Sequence, residues 1–196
     1  MKVKSLLEEK KWRPFLNQKN QLLTYVKNNP TCIGEKDLWV LNLMSGPQRG
    51  GFMQKWHMAR YASLVRRVAA KKQKGDFVAF NGTHYEYKFS LVGEGRKASF
   101  LQIRLFHPVD YILEIYDDME KRFYCFLVPH AAMEELIHTT GCLIHGVEEN
   151  VHNFKLYALR PDFKEGRKGY PLWQRLKNDY LISSASLRRA YKEGAS

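Results

Sequence analysis

The stretch KGDFVAFNGTHYEYKFSLV, residues 74–92, decides the fold, because two runs rich in apolar and aromatic residues flank an Asn-Gly pair. This pattern predicts a β-hairpin that turns near Asn81-Gly82. Side chains alternate between the two faces of a strand. The second strand therefore has a polar face of His84, Glu86, Lys88 and Ser90, and an apolar face of Tyr85, Tyr87, Phe89 and Leu91. We expect the apolar face to pack on the core.

The length of the turn decides whether Asp76, at the start of the first strand, joins the polar face. A two-residue loop at 81–82 places Asp76 opposite Tyr87, on the wrong face. A three-residue loop at 81–83, with a bulge, places Asp76 opposite Lys88 and diagonal to Glu86. The sequence leaves both loops open.

A cluster of Asp76, Glu86 and Lys88 would have a definite chemistry. Two carboxylates that face one point bind a hard cation such as Mg²⁺ through oxygen. The cation neutralises charge that builds on a phosphorus atom, while an adjacent lysine orients the attacking water. These three residues thus suffice for phosphodiester hydrolysis. The alternative is a cross-strand ion pair on an exposed face, worth only ~0–1 kcal/mol.

The rest of the chain alternates between helical and strand patterns. A second hairpin is predicted from DYILEIYD and RFYCFLVP, at 110–117 and 122–129. Helices are predicted at 5–28, 52–72, 131–141 and 171–192, a connection at 45–51 and a further strand at 153–159. The helix at 52–72 is amphipathic and basic. The architecture expected is α/β or mixed α+β, with a central mixed sheet flanked by helices.

Charge points to a polyanionic partner, because 32 Lys and Arg against 20 Asp and Glu give a net charge of +12. From Arg49 to Lys74 there are eight basic residues and no acidic one. The partner expected is nucleic acid or an anionic membrane, and a phosphate-binding groove is the sharper interpretation. Candidate contacts lie on the 52–72 helix, beside it and in the C-terminal segment, namely Arg49, Lys55, Arg66, Arg67, Arg167, Lys168, Arg188 and Arg189.

Other features limit the class of protein. The chain of 196 residues is expected to form one compact domain. No membrane-spanning apolar run or signal peptide is recognisable, and the three cysteines suit a reducing compartment, so a cytoplasmic protein is expected. Cys142, His145 and His152 match no zinc spacing. Neither a phosphate-binding glycine loop nor an acyl-transfer nucleophile is present as a motif.

The order of a basic helix, Asp on one strand and Glu-x-Lys on the next resembles the PD-(D/E)XK nuclease superfamily. Within it, YEYKFSL, FLQIRLFHPVDYILEIYD and the later IHG most resemble type II restriction endonucleases, over about residues 45–160. The resemblance implies a catalytic core at 45–160. The expected single nuclease domain also includes an N-terminal helical region at 1–44 and a basic helical segment at 161–196, which the resemblance does not assign. The resemblance also implies Mg²⁺-dependent cleavage of double-stranded DNA, leaving 5′-phosphate and 3′-hydroxyl ends, and commonly a homodimer.

Carried over to this sequence, the resemblance assigns Asp76 and Glu86 to the metal, with help from the Tyr87 carbonyl. Lys88 would position or activate water, and Gln102 would be a secondary polar residue near the site. The function expected is that of a type II site-specific deoxyribonuclease. The alternatives are a repair or mobile-element nicking nuclease of the same fold and a DNA-binding protein without catalysis.

Overall fold

A computed structural model describes residues 44, 46–69, 75–140, 143–148 and 153–193. The chain divides into two compact units, residues 1–62 and 63–196, and each is described by itself. The helix predicted at 5–28 lies outside the described residues. That the whole chain forms one domain stays a prediction.

The first unit contributes one described helix, α1, over Gly46–Arg60. The connection expected at 45–51 is wrong, because residues 46–51 form the first turns of this helix. Pro47 suits that position, because N–H groups in the first turn of a helix have no acceptor within the helix and proline has no N–H to leave unpaired. The predicted helix at 52–72 is correct only as far as Arg60.

The second unit begins at Ser63, within the stretch predicted as helix but not observed as helix. Residues Val65–Arg67 form a short strand, β1, instead of helix. Val65 lies opposite Ala79, and Arg67 lies opposite Phe77. Apolar residues at helical spacing misled the prediction, because pairing with the next strand outweighs a short periodic pattern and β-branched valine favours strands.

Five strands form a mixed sheet in the order β1-β2-β3-β5-β6. They are β1, β2 at Phe77–Ala79, β3 at His84–Val92, β5 at Asp110–Asp117 and β6 at Arg122–Val128. Strands β3 and β5 are parallel, and the other neighbours are antiparallel. Both predicted hairpins and the mixed α/β class are confirmed.

A second sheet is antiparallel and has the order β4-β8-β7. Its strands are β4 at Phe100–Ile103, β7 at Leu143–Glu148 and β8 at Phe154–Leu159. Only β8 was predicted. The connection from β3 to β5 passes through β4, so the two sheets are linked by the chain itself.

The turn of the first hairpin differs from both predicted loops. Val78 lies opposite His84, and the Ala79 N–H donates to the Thr83 carbonyl at 2.9 Å. The loop therefore has three residues, 80–82, and ends with Gly82 at a φ of 87°. Asn81 fixes this loop, because its Oδ1 accepts the Thr83 N–H at 2.9 Å. The paired register ends at Phe77 opposite Tyr85, and Asp76 lies just beyond it, where its N–H donates to the Tyr85 carbonyl at 2.7 Å.

The central strands β3 and β5 are buried on both faces of the sheet, which corrects the expectation that only the tyrosine face meets the core. On the polar face, Lys88 neighbours Leu113, which belongs to the principal core. That core is completed by the second sheet, by α2 at His130–Thr139 and by α3 at Tyr170–Arg175. On the opposite face, the Tyr85 ring packs against Phe77 and Tyr191.

The C-terminal segment is broken, which corrects the single helical stretch predicted at 171–192. A π-helical segment at Leu176–Tyr180 follows α3, and α4 runs over Ser184–Glu193. Leu181 is extended between them and forms a β-bridge with Phe126. Pairing with β6 thus interrupts a segment whose local sequence favours helix.

Candidate active site

Asp76 is positioned by the glycine before it. Gly75 has a φ of 73°, and a Cβ there would lie 2.4 Å from the Tyr85 carbonyl oxygen. Proline cannot adopt this φ, so the Pro-Asp form of the superfamily motif does not fit here. The Asp76 N–H donates to the Tyr85 carbonyl at 2.7 Å, and its Oδ2 accepts the Tyr87 N–H at 2.8 Å. The Asp76 carboxylate therefore lies against the backbone between Glu86 and Lys88.

Glu86 and Lys88 form the polar centre of β3. Lys88 Nζ lies 2.9 Å from Glu86 Oε1. Glu86 is only 5% exposed, although its side chain is charged. Burial of a carboxylate is costly unless cations or hydrogen bonds compensate for the lost water. The structure thus pairs Glu86 with Lys88, as alternation along β3 predicts, and holds the Asp76 carboxylate at the Tyr87 N–H between them, through neither of the two predicted loops.

Two further residues complete the cluster and were missed from the sequence. Arg104, just after β4, donates from Nη1 to Glu86 Oε1 at 3.0 Å. Its Nε donates to Glu148 Oε2, at the end of β7, at 2.8 Å. The signal that could have found Arg104 is a charged residue between Ile103 and Leu105 in an apolar run. Glu148 had no comparable signal, because β7 was not recognised.

The backbone around Arg104 is held firmly. The Tyr111 hydroxyl donates to the Arg104 carbonyl at 2.8 Å, and the His107 N–H reaches the same oxygen at 3.1 Å. His130 Nε2 lies 2.9 Å from the Leu105 carbonyl. Burial lowers the pKa of Arg104, but its bonds to Glu148 and Glu86 outweigh that effect and the net pKa is raised. The guanidinium is therefore fixed and charged.

His107 is buried next to this cluster. Neither ring nitrogen has a hydrogen-bond partner among the described residues, and the ring packs against Phe106. Burial lowers the pKa of His107, and the neighbouring Glu86 carboxylate only partly opposes this. Burial therefore favours the neutral form of this imidazole.

Gln102 occupies a different position from that of Arg104. It is exposed on β4 with a φ of 55°, within an irregular part of the β4–β8 pairing. The side chain that reaches Glu86 from this part of the chain is Arg104. A role for Gln102 near the site stays a prediction.

The oxygen donors of the cluster fit a hard cation. The N–H and C=O of one residue in an extended strand point to the same edge. The Tyr87 carbonyl therefore points to the edge at which its N–H meets Asp76. Two carboxylates with one carbonyl suit Mg²⁺, which usually binds one or two carboxylates and keeps several waters. Within the described residues, no group of three His, Cys, Asp or Glu side chains is arranged to hold a metal.

The predicted DNA contacts lie on several elements. In the first unit, Lys55 is exposed on α1, and Arg49 donates to the Met44 carbonyl at 3.1 Å. In the second unit, Arg66 and Arg67 are exposed on β1 and not on a helix. The remaining four are exposed in the C-terminal part, namely Arg167, Lys168, Arg188 and Arg189. Arg167 also reaches Asp162, which is buried, at 3.4 Å.

The residues weighed for a zinc site do not offer an alternative to the cluster of Asp76, Glu86 and Lys88 as the candidate active site. Of the residues weighed for zinc, His145 is exposed on β7, whereas Cys142 and His152 lie outside the described residues. No described helix has both the length and the apolar composition needed to cross a bilayer. No model of a known protein family matches this chain, and no curated protein sequence matches it.

Proposed function

We propose that this protein is a Mg²⁺-dependent endonuclease that hydrolyses phosphodiester bonds in double-stranded DNA, of the type II site-specific class. The observation that carries the proposal is the buried Glu86, flanked by Lys88 and by the Asp76 carboxylate. Ionisable groups that are buried at high cost, with a specific charge partner, are concentrated at functional sites. The net charge of +12 supports a polyanionic substrate.

The residues have separate parts in the proposed reaction. Asp76, Glu86 and the Tyr87 carbonyl hold Mg²⁺, which supplies a positive charge to oppose the charge building on the phosphate. Lys88 orients a water molecule for attack on phosphorus. The water oxygen forms a bond to phosphorus as the P–O3′ bond breaks. One water proton leaves to solvent and the departing oxygen gains a proton, so the products are a 5′-phosphate and a 3′-hydroxyl.

The proposal extends to partners and location. Basic residues of both units would bind DNA phosphates, while a smaller set of side chains would read base edges. The PD-(D/E)XK resemblance supports a homodimer and the choice of DNA over RNA. A cytoplasmic location suits the three cysteines, which match no disulfide framework. A repair or mobile-element nicking nuclease would use the same residues, and its products on supercoiled and branched DNA would distinguish it.

A second candidate is a DNA-binding protein without catalysis. One observation favours it, because Glu86 Oε1 is already paired with both Lys88 and Arg104. An ion-pair network of this kind also occurs where charges only hold strands together. In that case the basic surface would bind DNA and the cluster would be structural.

Cleavage of long duplex DNA separates the two candidates. We expect the wild-type protein to give discrete fragments with Mg²⁺ and none with EDTA, and Lys88→Ala and Asp76→Ala to give none. Both variants should still bind DNA in Ca²⁺, because they change the reaction centre and not the basic surface. Lys155→Ala is the matched control, since this exposed lysine lies on β8 and not on β3.

Intact DNA in every wild-type reaction, across several DNAs that the protein binds, would favour the second candidate. Cleavage retained by Lys88→Ala and Asp76→Ala would place the reaction elsewhere in the chain. Thermal melting of each variant shows whether a loss of cleavage reflects loss of the fold.

A further inference from the structure

The charged side chains around Glu86 carry a net negative charge that a divalent cation and a phosphodiester, bound together, would neutralise. The carboxylates of Glu86 and Glu148 pair with the side-chain cations of Lys88 and Arg104, and the Asp76 carboxylate accepts the Tyr87 N–H between Glu86 and Lys88. The five groups together carry one net negative charge. A divalent cation with one phosphodiester would add one positive charge and make the whole assembly neutral.

A cation at Glu86 would compete with Arg104. Both Lys88 Nζ and Arg104 Nη1 contact the same oxygen, Oε1, at 2.9 and 3.0 Å. Like charges repel strongly in a site from which water is partly excluded. Arg104 has a second carboxylate partner in Glu148, whereas Glu86 is the carboxylate with which Lys88 pairs among the described residues. The Arg104–Glu86 contact is therefore the one that a bound cation would weaken.

Arg104 would stay at the site after losing this contact. Its Nε bond to Glu148 uses a different carboxylate, at 2.8 Å. Its backbone carbonyl is held by the Tyr111 hydroxyl and by the His107 N–H. Nη2 makes no hydrogen bond to the described residues, so Nη1 and Nη2 together would form a free fork. Such a fork matches two oxygens of a phosphate.

We propose that Arg104 is a catalytic residue that binds a non-bridging oxygen of the scissile phosphodiester, and that Glu148 is the positioning residue that holds its guanidinium there. This inference rests on the proposed nuclease function and adds to it a substrate contact outside the Asp76, Glu86 and Lys88 set. Arg104 also pairs with Glu86 before substrate binds, so its positive charge is already at the site when the phosphodiester arrives.

Chemical rescue tests the contact. Arg104→Ala should reduce single-turnover cleavage by about 10²–10³-fold, as for loss of one charge-stabilising donor. Millimolar guanidinium chloride should restore part of this rate, whereas urea or methylammonium chloride at the same concentration should not. Arg175→Ala is the matched control, because Arg175 forms an ion pair with Glu135 at 2.6 Å on the surface of α3. It should cleave at the wild-type rate.

Metal binding provides a readout that does not depend on cleavage. Mn²⁺ titrated into the DNA-free protein should bind Arg104→Ala several-fold more tightly than wild type, because one competing cation has been removed. Arg175→Ala should bind Mn²⁺ as wild type does. Arg104→Lys, which keeps the charge, serves if Arg104→Ala melts below the assay temperature. It should cleave slowly without guanidinium rescue.

Glu148→Gln tests whether Glu148 positions the Arg104 guanidinium or only stabilises the fold. It should lower kcat with little change in KM for DNA, because Arg104 remains charged but is no longer held by a carboxylate. A defect that only loosens the fold would lower the melting temperature and reduce the amount of active protein, leaving the rate of each active molecule unchanged.

The possible results distinguish failure of the Arg104 proposal from failure of the proposed nuclease function. Wild-type cleavage accompanied by an unimpaired Arg104→Ala overturns the inference and leaves the nuclease function in place. An impaired Arg104→Ala without guanidinium rescue and with unchanged Mn²⁺ affinity assigns Arg104 to structure and also overturns the inference. If wild type never cleaves DNA with Mg²⁺, the proposed function fails, and the inference fails with it.

Discussion

Gly75 fixes Asp76 through the absence of a side chain. A Cβ at Gly75 would lie 2.4 Å from the Tyr85 carbonyl oxygen and 3.2 Å from the Glu86 nitrogen, at a φ of 73°. The atoms it would meet are backbone atoms, which cannot move without disturbing β3. Gly82 has a similar φ of 87° but open space around its Cβ position. A comparison of substitutions at the two glycines therefore separates the effect of an unfavourable φ, which both share, from that of steric overlap, which only Gly75 has.

Gly75→Ala should lower the free energy of unfolding by about 3 kcal/mol or more, through both strain and overlap. Gly82→Ala should cost only about 1–2 kcal/mol, because only the unfavourable φ remains. Urea denaturation of both variants measures the difference. Equal losses would mean that β3 yields to the added methyl group and that Gly75 does not hold Asp76 in place.

At this scale the sequence predicts part of the site. Alternation along β3 correctly placed Glu86 with Lys88, whereas neither predicted loop gives the observed position of Asp76. Arg104 and Glu148 could not be found in this way, because they lie just after β4 and at the end of β7, and join the cluster only through tertiary contacts. Periodicity describes which face a residue occupies and carries no information about which distant strand covers that face.

Among the elements, the hairpin of β2 and β3 is joined to α4 by hydrogen bonds of Asn81 as well as by the packing of Tyr85 on Tyr191. Asn81 Nδ2 donates to the Ala190 carbonyl at 2.8 Å, and the Asn81 N–H donates to the Tyr191 carbonyl at 3.2 Å. Asn81 Oδ1 also accepts the Thr83 N–H within the loop. The strand pair that carries Asp76 and Glu86 is thus joined to the helix that carries Arg188 and Arg189.

Asn81→Ala should lower the free energy of unfolding by about 1–3 kcal/mol, since it removes two side-chain hydrogen bonds. Asn81→Asp keeps the acceptor for Thr83 but loses the donor to Ala190, so an intermediate loss is expected. Denaturant titration compares the two variants with wild type. A loss in Asn81→Asp as large as in Asn81→Ala would show that the bond to Ala190 dominates.

The elements were predicted best where local pattern and tertiary contact agree. DYILEIYD and RFYCFLV are rich in β-branched and aromatic residues, and they form the long β5–β6 pair. Val65 and Leu181 were placed in helices by their spacing, but both pair with strands instead. Strand β4 was missed because it is short and contains an irregular stretch at Leu101 and Gln102. Its pairing with β8 depends on residues far along the chain.

For the whole molecule, the charge excess determines how binding responds to salt. Each phosphate that a protein neutralises contributes about −0.9 to the slope of log K against log salt concentration. If Arg188 and Arg189 both contact phosphate, changing both to glutamine should reduce the steepness of the slope by about 2. Anisotropy of labelled duplex DNA in Ca²⁺ at several salt concentrations measures this slope.

Lys121→Gln with Arg122→Gln is the matched control for this measurement. It removes the same two charges from the β5–β6 hairpin, where Lys121 pairs with Asp118 at 2.8 Å. Its slope should stay at the wild-type value. A similar change in both double variants would mean that the total charge governs binding and that α4 does not contact the DNA.

The passage of the chain through β4 has a consequence for how the protein is made. The hairpins β2–β3 and β5–β6 close short loops and can form early, within microseconds of becoming available. Strand β4 leads into Arg104 but pairs with β8, which ends at Leu159. A nascent chain on the ribosome therefore contains Asp76, Glu86, Lys88 and Arg104 long before β4 acquires its partner. Contacts so distant in sequence form slowly, so the pairing of β4 with β8 follows the synthesis of residue 159.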